Sequence, residues 1–317
     1  MKVSVIVPVL NGEALIEGCL RALDAQTLSP QDYEIVVVDD GSTDATAERA
    51  RTFASRCALT VVPLEQNRGP AAARNEGLAV ARGEVIAFTD ADCEPAPDWL
   101  ERGLARLDAE PETVAVEGRT EPKGDPGTLT HQMRNVTGGL WMTCNMLYRR
   151  TAIDGVGGFD ERFRLAFLED SDLAFAVQEA GGVIAWDPDV LVHHLVLPEG
   201  RAKFAREARK RIYNPLLFSK HPALYRQHIA TVVPGLPGLH LKYMALVVSA
   251  AVCAFTPWTQ GLAVLLGLGA LVWLRRVAFA YRARDVVSVL QAAAHPFVQT
   301  YWVLRGMIAF RTFSLDI

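Results

Sequence analysis

The chain has 317 residues, half of them hydrophobic and 21% charged, which excludes disordered, collagen-like and low-complexity classes. Its net charge of −4 conceals a division: residues 1–200 hold 17 Lys and Arg against 33 Asp and Glu, while residues 201–317 hold 15 against 3. An acidic first part and a basic, apolar second part are different physical objects, and the length suits about two units. Cys19, Cys57, Cys93, Cys144 and Cys253 are scattered without a C-x-x-C pair, which argues against a disulfide framework or structural zinc and fits a reducing compartment.

In chain order, MKVSVIVPVLNG is an apolar run broken by Ser4 and closed by an Asn-Gly turn, so it reads as a buried strand rather than a secretion signal. Further strands are predicted at Glu34–Val38, Leu59–Pro63, Val85–Thr89 and Val114–Glu117, after a first at Val3–Val9. Their nearly continuous Val and Ile content is what buried parallel strands require. Helices are predicted between them over Glu13–Gln26, Asp44–Ser55, Ala71–Ala81 and Asp98–Ala109. This alternation implies an α/β fold, an open, mostly parallel, Rossmann-like sheet with helices on both faces. Ligands in such sheets sit beyond the carboxyl ends of the strands, where this chain keeps Asp39-Asp40-Gly41-Ser42 and Asp90-Ala91-Asp92. Residues 126–195 are less regular, with strands expected at Asn145–Arg150, Val183–Trp186 and Val190–His194 and a helix at Asp170–Gly181.

From Arg201 the character changes. Arg201–Tyr213 has six basic residues, with Phe204, Ala208 and Ile212 on one helical face, a basic amphipathic helix. Tyr243–Phe255 and Thr256–Leu274 carry no charge, and Arg275, Arg276, Arg282 and Arg284 follow. A transmembrane hairpin over 243–274 is expected, its ends on the cytoplasmic side, with a buried helical subdomain as the alternative. The stretch 286–310 is expected to lie in the membrane interface or to re-enter it. The chain is thus read as a domain of residues 1–225 and a C-terminal helical membrane region of residues 226–317.

No G-x-G-x-x-G follows the first strand and no P-loop occurs, which counts against dehydrogenases and P-loop NTPases. Asp90-Ala91-Asp92 at a strand end suits a hard divalent ion, Mg²⁺ or Mn²⁺, which takes oxygen ligands and completes its shell with water and phosphate; a solvated turn is the alternative. Ser42, Thr43 and Asp44 suffice to cap the turn after Asp39-Asp40, leaving Asp39 able to accept hydrogen bonds from a base or ribose. Arg74 follows the small-residue loop Asn67-Arg68-Gly69-Pro70, as a surface group or a site group. On a helical wheel Asp170 falls with Leu173, Ala174 and Val177, facing inward, while Asp172 falls on the polar side facing water. An inward Asp either caps its own helix or acts as a general base on a bound hydroxyl. Of His193 and His194, which face opposite ways on a strand, one can reach the cavity and complete a metal site.

Together VSVIVPVLNG, EIVVVDDGSTDAT, NRGPAAARNEG, GEVIAFTDADCEP, CNMLYRR, GGFDERF and FLEDSDLAFAVQEAG resemble, in order, the motifs of family 2 glycosyltransferases of the GT-A fold, over about residues 1–225. The tail KFAREARKRIYNPLLFSKHP is similar to that of membrane-attached bacterial members. The resemblance implies inverting transfer from a nucleoside-diphosphate sugar to a hydroxyl of a lipid-linked or envelope glycan at the cytoplasmic membrane, with membrane lipids as further partners and no nucleic acid. It implies that Asp39 contacts the nucleobase, with Pro8 and Val9 lining its pocket and Arg74 nearby. Asp90 would approach the ribose and sugar, Asp92 would hold the divalent ion, and His194, or His193, would complete that site. Asn145 would position donor or acceptor, and Asp170 would be the base. A polyprenyl-phosphate sugar synthase and a non-catalytic sugar-nucleotide-binding module are the competing readings.

Overall fold

A computed structural model of the chain describes residues 1–125, 130–131, 133–198, 203–229, 298–299 and 301–312. They fall into two compact units, Met1–Glu199 and Gly200–Ile317.

The first unit opens with β1 (Val3–Val9), α1 (Ile16–Asp24), β2 (Tyr33–Asp39), α2 (Thr46–Thr52), β3 (Ala58–Pro63), α3 (Pro70–Val80) and β4 (Val85–Phe88). It continues through β5 (Cys93–Pro95), α4 (Trp99–Ala109), β6 (Thr113–Lys123), β7 (Thr130–His131), β8 (Met146–Arg149), α5 (Arg150–Val156), α6 (Glu169–Glu179), β9 (Val183–Leu195) and β10 (Leu197–Pro198). Eight strands form one sheet in the order β3-β2-β1-β4-β8-β6-β9-β5. β1, β2, β3 and β4 are mutually parallel, as expected from their apolar runs, whereas β8 enters antiparallel between β4 and β6. The α/β class and mostly parallel sheet hold, with an antiparallel strand that the β-α alternation does not announce.

Both faces of the central strands are covered. Val3, Val5, Val7 and Val9 join Ile16, Leu20, Leu23, Trp99 and Leu100 in one core, on the side of α1 and α4. On the opposite face Ile6 and Val38 meet α3 so closely that a Cβ on Gly77 would lie 2.6 Å from Ile6 Cγ2. Each fully buried Val, Ile or Leu contributes on the order of 1.5–3 kcal/mol, so β1 and β2 are the thermodynamic centre of the unit. The strands expected separately at Val183–Trp186 and Val190–His194 are one strand, β9, parallel to β6 with a register shift between Gly118 and Arg119. That shift carries the strand past Asp187-Pro188-Asp189, where the apolar signal fails.

The second unit begins with α7 (Lys203–Lys210), a 3₁₀ turn at Arg211–Tyr213 and α8 (Asn214–Lys220). Ala208 is buried while Arg206 and Arg209 are exposed, the amphipathic division expected of this segment. The Arg209 guanidinium lies 5.9 Å from the Trp302 ring centre. Among the described residues no helix is long and apolar enough to cross a membrane. The expected hairpin over 243–274 and most of the expected interfacial stretch lie outside the described residues.

Candidate active site

The carboxyl ends of β1 and β2 are stitched together by their own loops. Asn11 accepts the Thr43 N–H at Oδ1 (2.9 Å), while its own N–H donates to Ser42 Oγ (2.8 Å). Glu13 and Asp44 repeat the exchange: the Ala45 N–H donates to Glu13 Oε2 and the Glu13 N–H to Asp44 Oδ2. Val9 lies beside Asp39 in the parallel register, Pro8 is half-buried, and the Val9 carbonyl accepts the Asp40 N–H. The two aspartates divide their work. Asp40 is consumed by the next loop, its oxygens accepting the Arg68 and Gly69 N–H groups at 2.7 and 2.9 Å, and burial holds its carboxyl above the ordinary range. Asp39 accepts the Ser42 N–H at 3.0 Å. Gly41 and Gly69 permit this meeting: both have positive φ, and a Cβ on either would strike backbone, of Gln66–Asn67 and of Arg164 respectively.

Arg74 is the hinge of the site. Its helix is lined by Ala71, Ala72 and Ala73, whose small side chains let α3 sit close to the sheet and carry the Arg74 guanidinium inward, 3% exposed. One guanidinium nitrogen lies 2.9 Å from Asp90 Oδ1 and another 3.0 Å from Glu169 Oε1. The ring of Phe159 flanks it at 5.7 Å. The first carboxylate of D-x-D is therefore bridged through one buried cation to the residue preceding Asp170. Glu169, also 3% exposed, is not among the expected site residues, although it is the first member of the Glu-Asp pair whose second is Asp170. Its Oε2 has no hydrogen-bond partner, and burial raises its carboxyl despite Arg74.

Asp170 lies in the first turn of α6, which starts after Leu168 in a left-handed conformation. Its Oδ1 accepts the Ser171 N–H at 2.7 Å, so it satisfies one of the helix's terminal donors while part of the residue stays accessible. Burial of the carboxyl, with Glu169 as an adjacent anion, pushes it up to about 8. Asp172 does not face water as the helical wheel implies; it is 2% exposed. α6 is buried around most of its circumference, from Glu169 and Ser171 through Val177, and a wheel argument presupposes one wet face.

The second carboxylate of D-x-D meets the final strand. β5 runs antiparallel to β9 with Cys93 opposite His194 and Glu94 opposite His193. His194 Nε2 lies 3.4 Å from Asp92 Oδ1, which assigns His194 rather than His193 to this corner. His194 is 3% exposed, and its Nδ1 sits 3.0 Å from the Leu195 carbonyl. A carbonyl only accepts, so Nδ1 carries a proton, and Nε2 is the ring atom turned toward Asp92. A carboxylate oxygen and an imidazole nitrogen at this separation are ligand types that a divalent ion takes, so the residues fit such an ion. Burial raises the Asp92 carboxyl, His194 opposing the shift and Asp90 adding to it.

Asn145 has another task. It is 1% exposed, its Oδ1 accepts the Trp99 Nε1–H at 2.8 Å, and its Nδ2 donates to the Arg119 and Val190 carbonyls at 2.8 and 3.0 Å. Its side chain ties α4, β6 and β9 together through these three bonds, so any part it plays in positioning donor or acceptor, the role the resemblance implies, would act through the elements it fastens. Glu117, on β6, is a second buried organiser that sequence did not reveal. Its carboxylate accepts the N–H groups of Gly139, Leu140 and Trp141 and the Asn135 Nδ2. This seats the Trp141 ring edge-on against Phe175 of α6, the ring centres 5.2 Å apart.

The model of Glycosyl transferase family 2 matches residues 4–171, more than half of the chain. The chain is a family 2 glycosyltransferase. It is 31% identical over 214 residues to glycosyltransferase AglE of Haloferax volcanii, a match covering 62% of this chain and 68% of that protein. It is 35% identical over 111 residues to dodecaprenyl-phosphate galacturonate synthase of Rhizobium johnstonii, covering 34% of this chain and 33% of the relative. In fold, this transferase is similar to the mannosyltransferase PcManGT of Pyrobaculum calidifontis, solved with GDP-Man and Mn²⁺. The TM-score is 0.66 at 24% identity, covering 96% of this chain and 87% of that one. The expected GT-A architecture agrees with this neighbour, and the matched segment contains D-x-D, Arg74, Glu169 and Asp170.

Proposed function

We propose that the protein transfers a glycosyl group, with inversion, from a nucleoside-diphosphate sugar to a hydroxyl of a lipid-linked or cell-envelope glycan, using a divalent metal. The observation that carries this is the Arg74 bridge, which joins Asp90 of the donor-side motif to Glu169, beside the candidate base Asp170. Leaving group and base then belong to one site. Asp39, Val9 and Pro8 form the end reserved for the base and ribose of the donor. Asp92 and His194 Nε2 would hold Mg²⁺ or Mn²⁺, which when bound offsets the charge developing on the departing diphosphate.

The chain's own residues supply the rest. Asp170 takes the proton of the incoming hydroxyl at its carboxylate, and a carboxyl raised toward neutrality is a stronger base than an exposed one. The N-terminus of α6, with the Ser171 N–H on Asp170 Oδ1, favours the ionised form that this role needs. Arg74 keeps Glu169 and Asp90 apart as paired anions, so that neither repels the donor from the site. Membrane attachment at the cytoplasmic face rests on the basic stretch 201–211 and the uncharged segments of 243–274, each basic residue near an anionic surface contributing about 1 kcal/mol.

The test is release of nucleoside diphosphate from a panel of UDP-, GDP- and dTDP-sugars, with extracted lipid as acceptor, with and without Mn²⁺. Metal-independent release, or none with any donor, refutes the proposal. The name of the Rhizobium relative favours one second reading, in which the acceptor is a polyprenyl phosphate. A phosphate acceptor needs no strong base, so under that reading Asp170→Asn is mild.

A further inference from the structure

We propose that Cys93 is a third protein ligand of the metal pocket, so that this site takes borderline and soft divalent ions such as Zn²⁺, Co²⁺ and Cd²⁺ through an oxygen, nitrogen and sulfur set. The inference rests on the metal-dependent reading above and specifies its ion chemistry. Asp92, Cys93 and His194 each offer one ligand atom, and these atoms all lie within 4.8 Å of one another. Cys93 Sγ is 3.7 Å from Asp92 Oδ1, and His194 Nε2 is 3.4 Å from the same oxygen.

Tetrahedral zinc sets the standard for comparison. With metal distances of about 2.3 Å to sulfur and about 2.0–2.1 Å to nitrogen and oxygen, the sulfur–oxygen edge is about 3.5 Å and the nitrogen–oxygen edge about 3.3 Å. The two separations from the Asp92 oxygen exceed these by a tenth or two of an ångström, and the third, between Cys93 Sγ and the His194 ring nitrogen, is within 4.8 Å, so rotation of the thiol and the imidazole about their side-chain bonds must close that edge. The backbone enforces the meeting. Cys93 and His194 are opposite one another on antiparallel strands, which puts their side chains on one face of the sheet. The Cys93 N–H donates to the Asp90 carbonyl and the Leu195 N–H to the Asp92 carbonyl, closing the turn that brings Asp92 round to both.

The hardness of the ion decides how the trio is used. Mg²⁺ and Mn²⁺ would take the Asp92 oxygen and the His194 nitrogen and complete their shells with water and phosphate, leaving the thiol unligated beside them. A softer ion binds sulfur: the Cys93 S–H proton leaves to solvent as the sulfur–metal bond forms. Three protein ligands then leave one open position, and affinity rises along the order that favours Co²⁺ and Zn²⁺ over Mn²⁺. The pocket is therefore expected to lose Mn²⁺ to Zn²⁺ or Cd²⁺ in direct competition.

The experiment is titration of the purified full chain with Co²⁺ in a thiol-free reductant, reading the thiolate-to-cobalt charge-transfer absorption in the near ultraviolet. One equivalent of Co²⁺ should produce the band, and added Zn²⁺, which has no such absorption, should erase it where equal Mn²⁺ does not. Cys93→Ser should abolish it, and Asp92→Asn should raise the Co²⁺ dissociation constant by at least about tenfold. Cys144→Ser should keep the band, because Cys144 lies against the Cys93 thiol but outside the trio. Absence of the band in the wild-type chain, its survival in Cys93→Ser, or its indifference to Zn²⁺ overturns the assignment, the first and last without recourse to any variant that folds poorly. Sugar transfer measured with Mn²⁺ keeps the two readings apart. Transfer without the band removes Cys93 from the pocket, and the band without transfer under any donor removes the catalytic reading while the pocket stands.

Discussion

Removing the charge of Arg74 should convert the centre of the site into a cluster of uncompensated anions, and the effect should depend on pH. Arg74 and Glu169 are each 3% exposed, and the Arg74 guanidinium donates to Glu169 Oε1 while Glu169 Oε2 has no hydrogen-bond partner among the described residues. Arg74→Met keeps much of the side-chain volume and leaves Glu169 buried without a cation. Removing one partner of a buried pair costs about 3–5 kcal/mol. Glu169 already has its carboxyl raised in the folded state, and losing Arg74 raises it further. A carboxyl raised above its unfolded value binds more protons in the folded state, so stability falls as pH rises from the unfolded value to the folded one, by about 1.4 kcal/mol for each unit of difference. Urea unfolding of Arg74→Met should therefore show a deficit that is small at pH 5 and approaches its full size by pH 8. The double variant Arg74→Met with Glu169→Gln should recover most of it, because no anion is left stranded, with an interaction energy of up to about 3 kcal/mol. An Arg74→Met deficit below about 1 kcal/mol at pH 8, or one no different at pH 5, would refute the reasoning.

The other expectations concern chemistry and packing. Asp170→Asn should lower kcat for a hydroxyl acceptor by about 10²–10⁴ with an unchanged circular dichroism spectrum. Because the base must be ionised and its carboxyl is raised to about 8, wild-type kcat/KM should climb with pH and level off above that value, a limb that Asp170→Asn should lack in a pH–rate profile. Asp92→Asn should abolish the response of transfer to added Mn²⁺, read as diphosphate release across a metal titration. Asn145→Ala should strand the Trp99 indole N–H and two carbonyls at about 1–3 kcal/mol each, seen as a lower urea midpoint with unchanged m.

Sequence revealed most where one physical signal dominates. β1 to β4 are buried on both faces, so their Val and Ile runs identify them, and the acidic clusters follow at their carboxyl ends because the sheet topology requires it. What stayed hidden depends on contacts between distant segments. Arg74 and Glu169 are 95 positions apart, and no local pattern reports their pairing. Asn145 sits in a motif shared with the family, yet its role emerges only when Trp99, Arg119 and Val190 are seen around it. The orientation of Asp172 eluded periodicity because α6 has almost no wet side. Conversely, the His193-His194 doublet could not be resolved by alternation alone, since the absolute register of β9 against β5 is a tertiary fact.

The Glu117 carboxylate gathers the N–H groups of three successive residues, Gly139, Leu140 and Trp141, and so writes the path of that loop from outside it. Only main-chain donors are needed, so the side chains of 139 and 140 are nearly unconstrained by this anchor. Proline is the residue it forbids there, since proline has no amide hydrogen to offer. What limits those two positions comes from elsewhere: Gly139 holds a φ of +84°, which favours glycine, and Leu140 packs against the core, so each answers to its own surroundings while the carboxylate steers only the main chain.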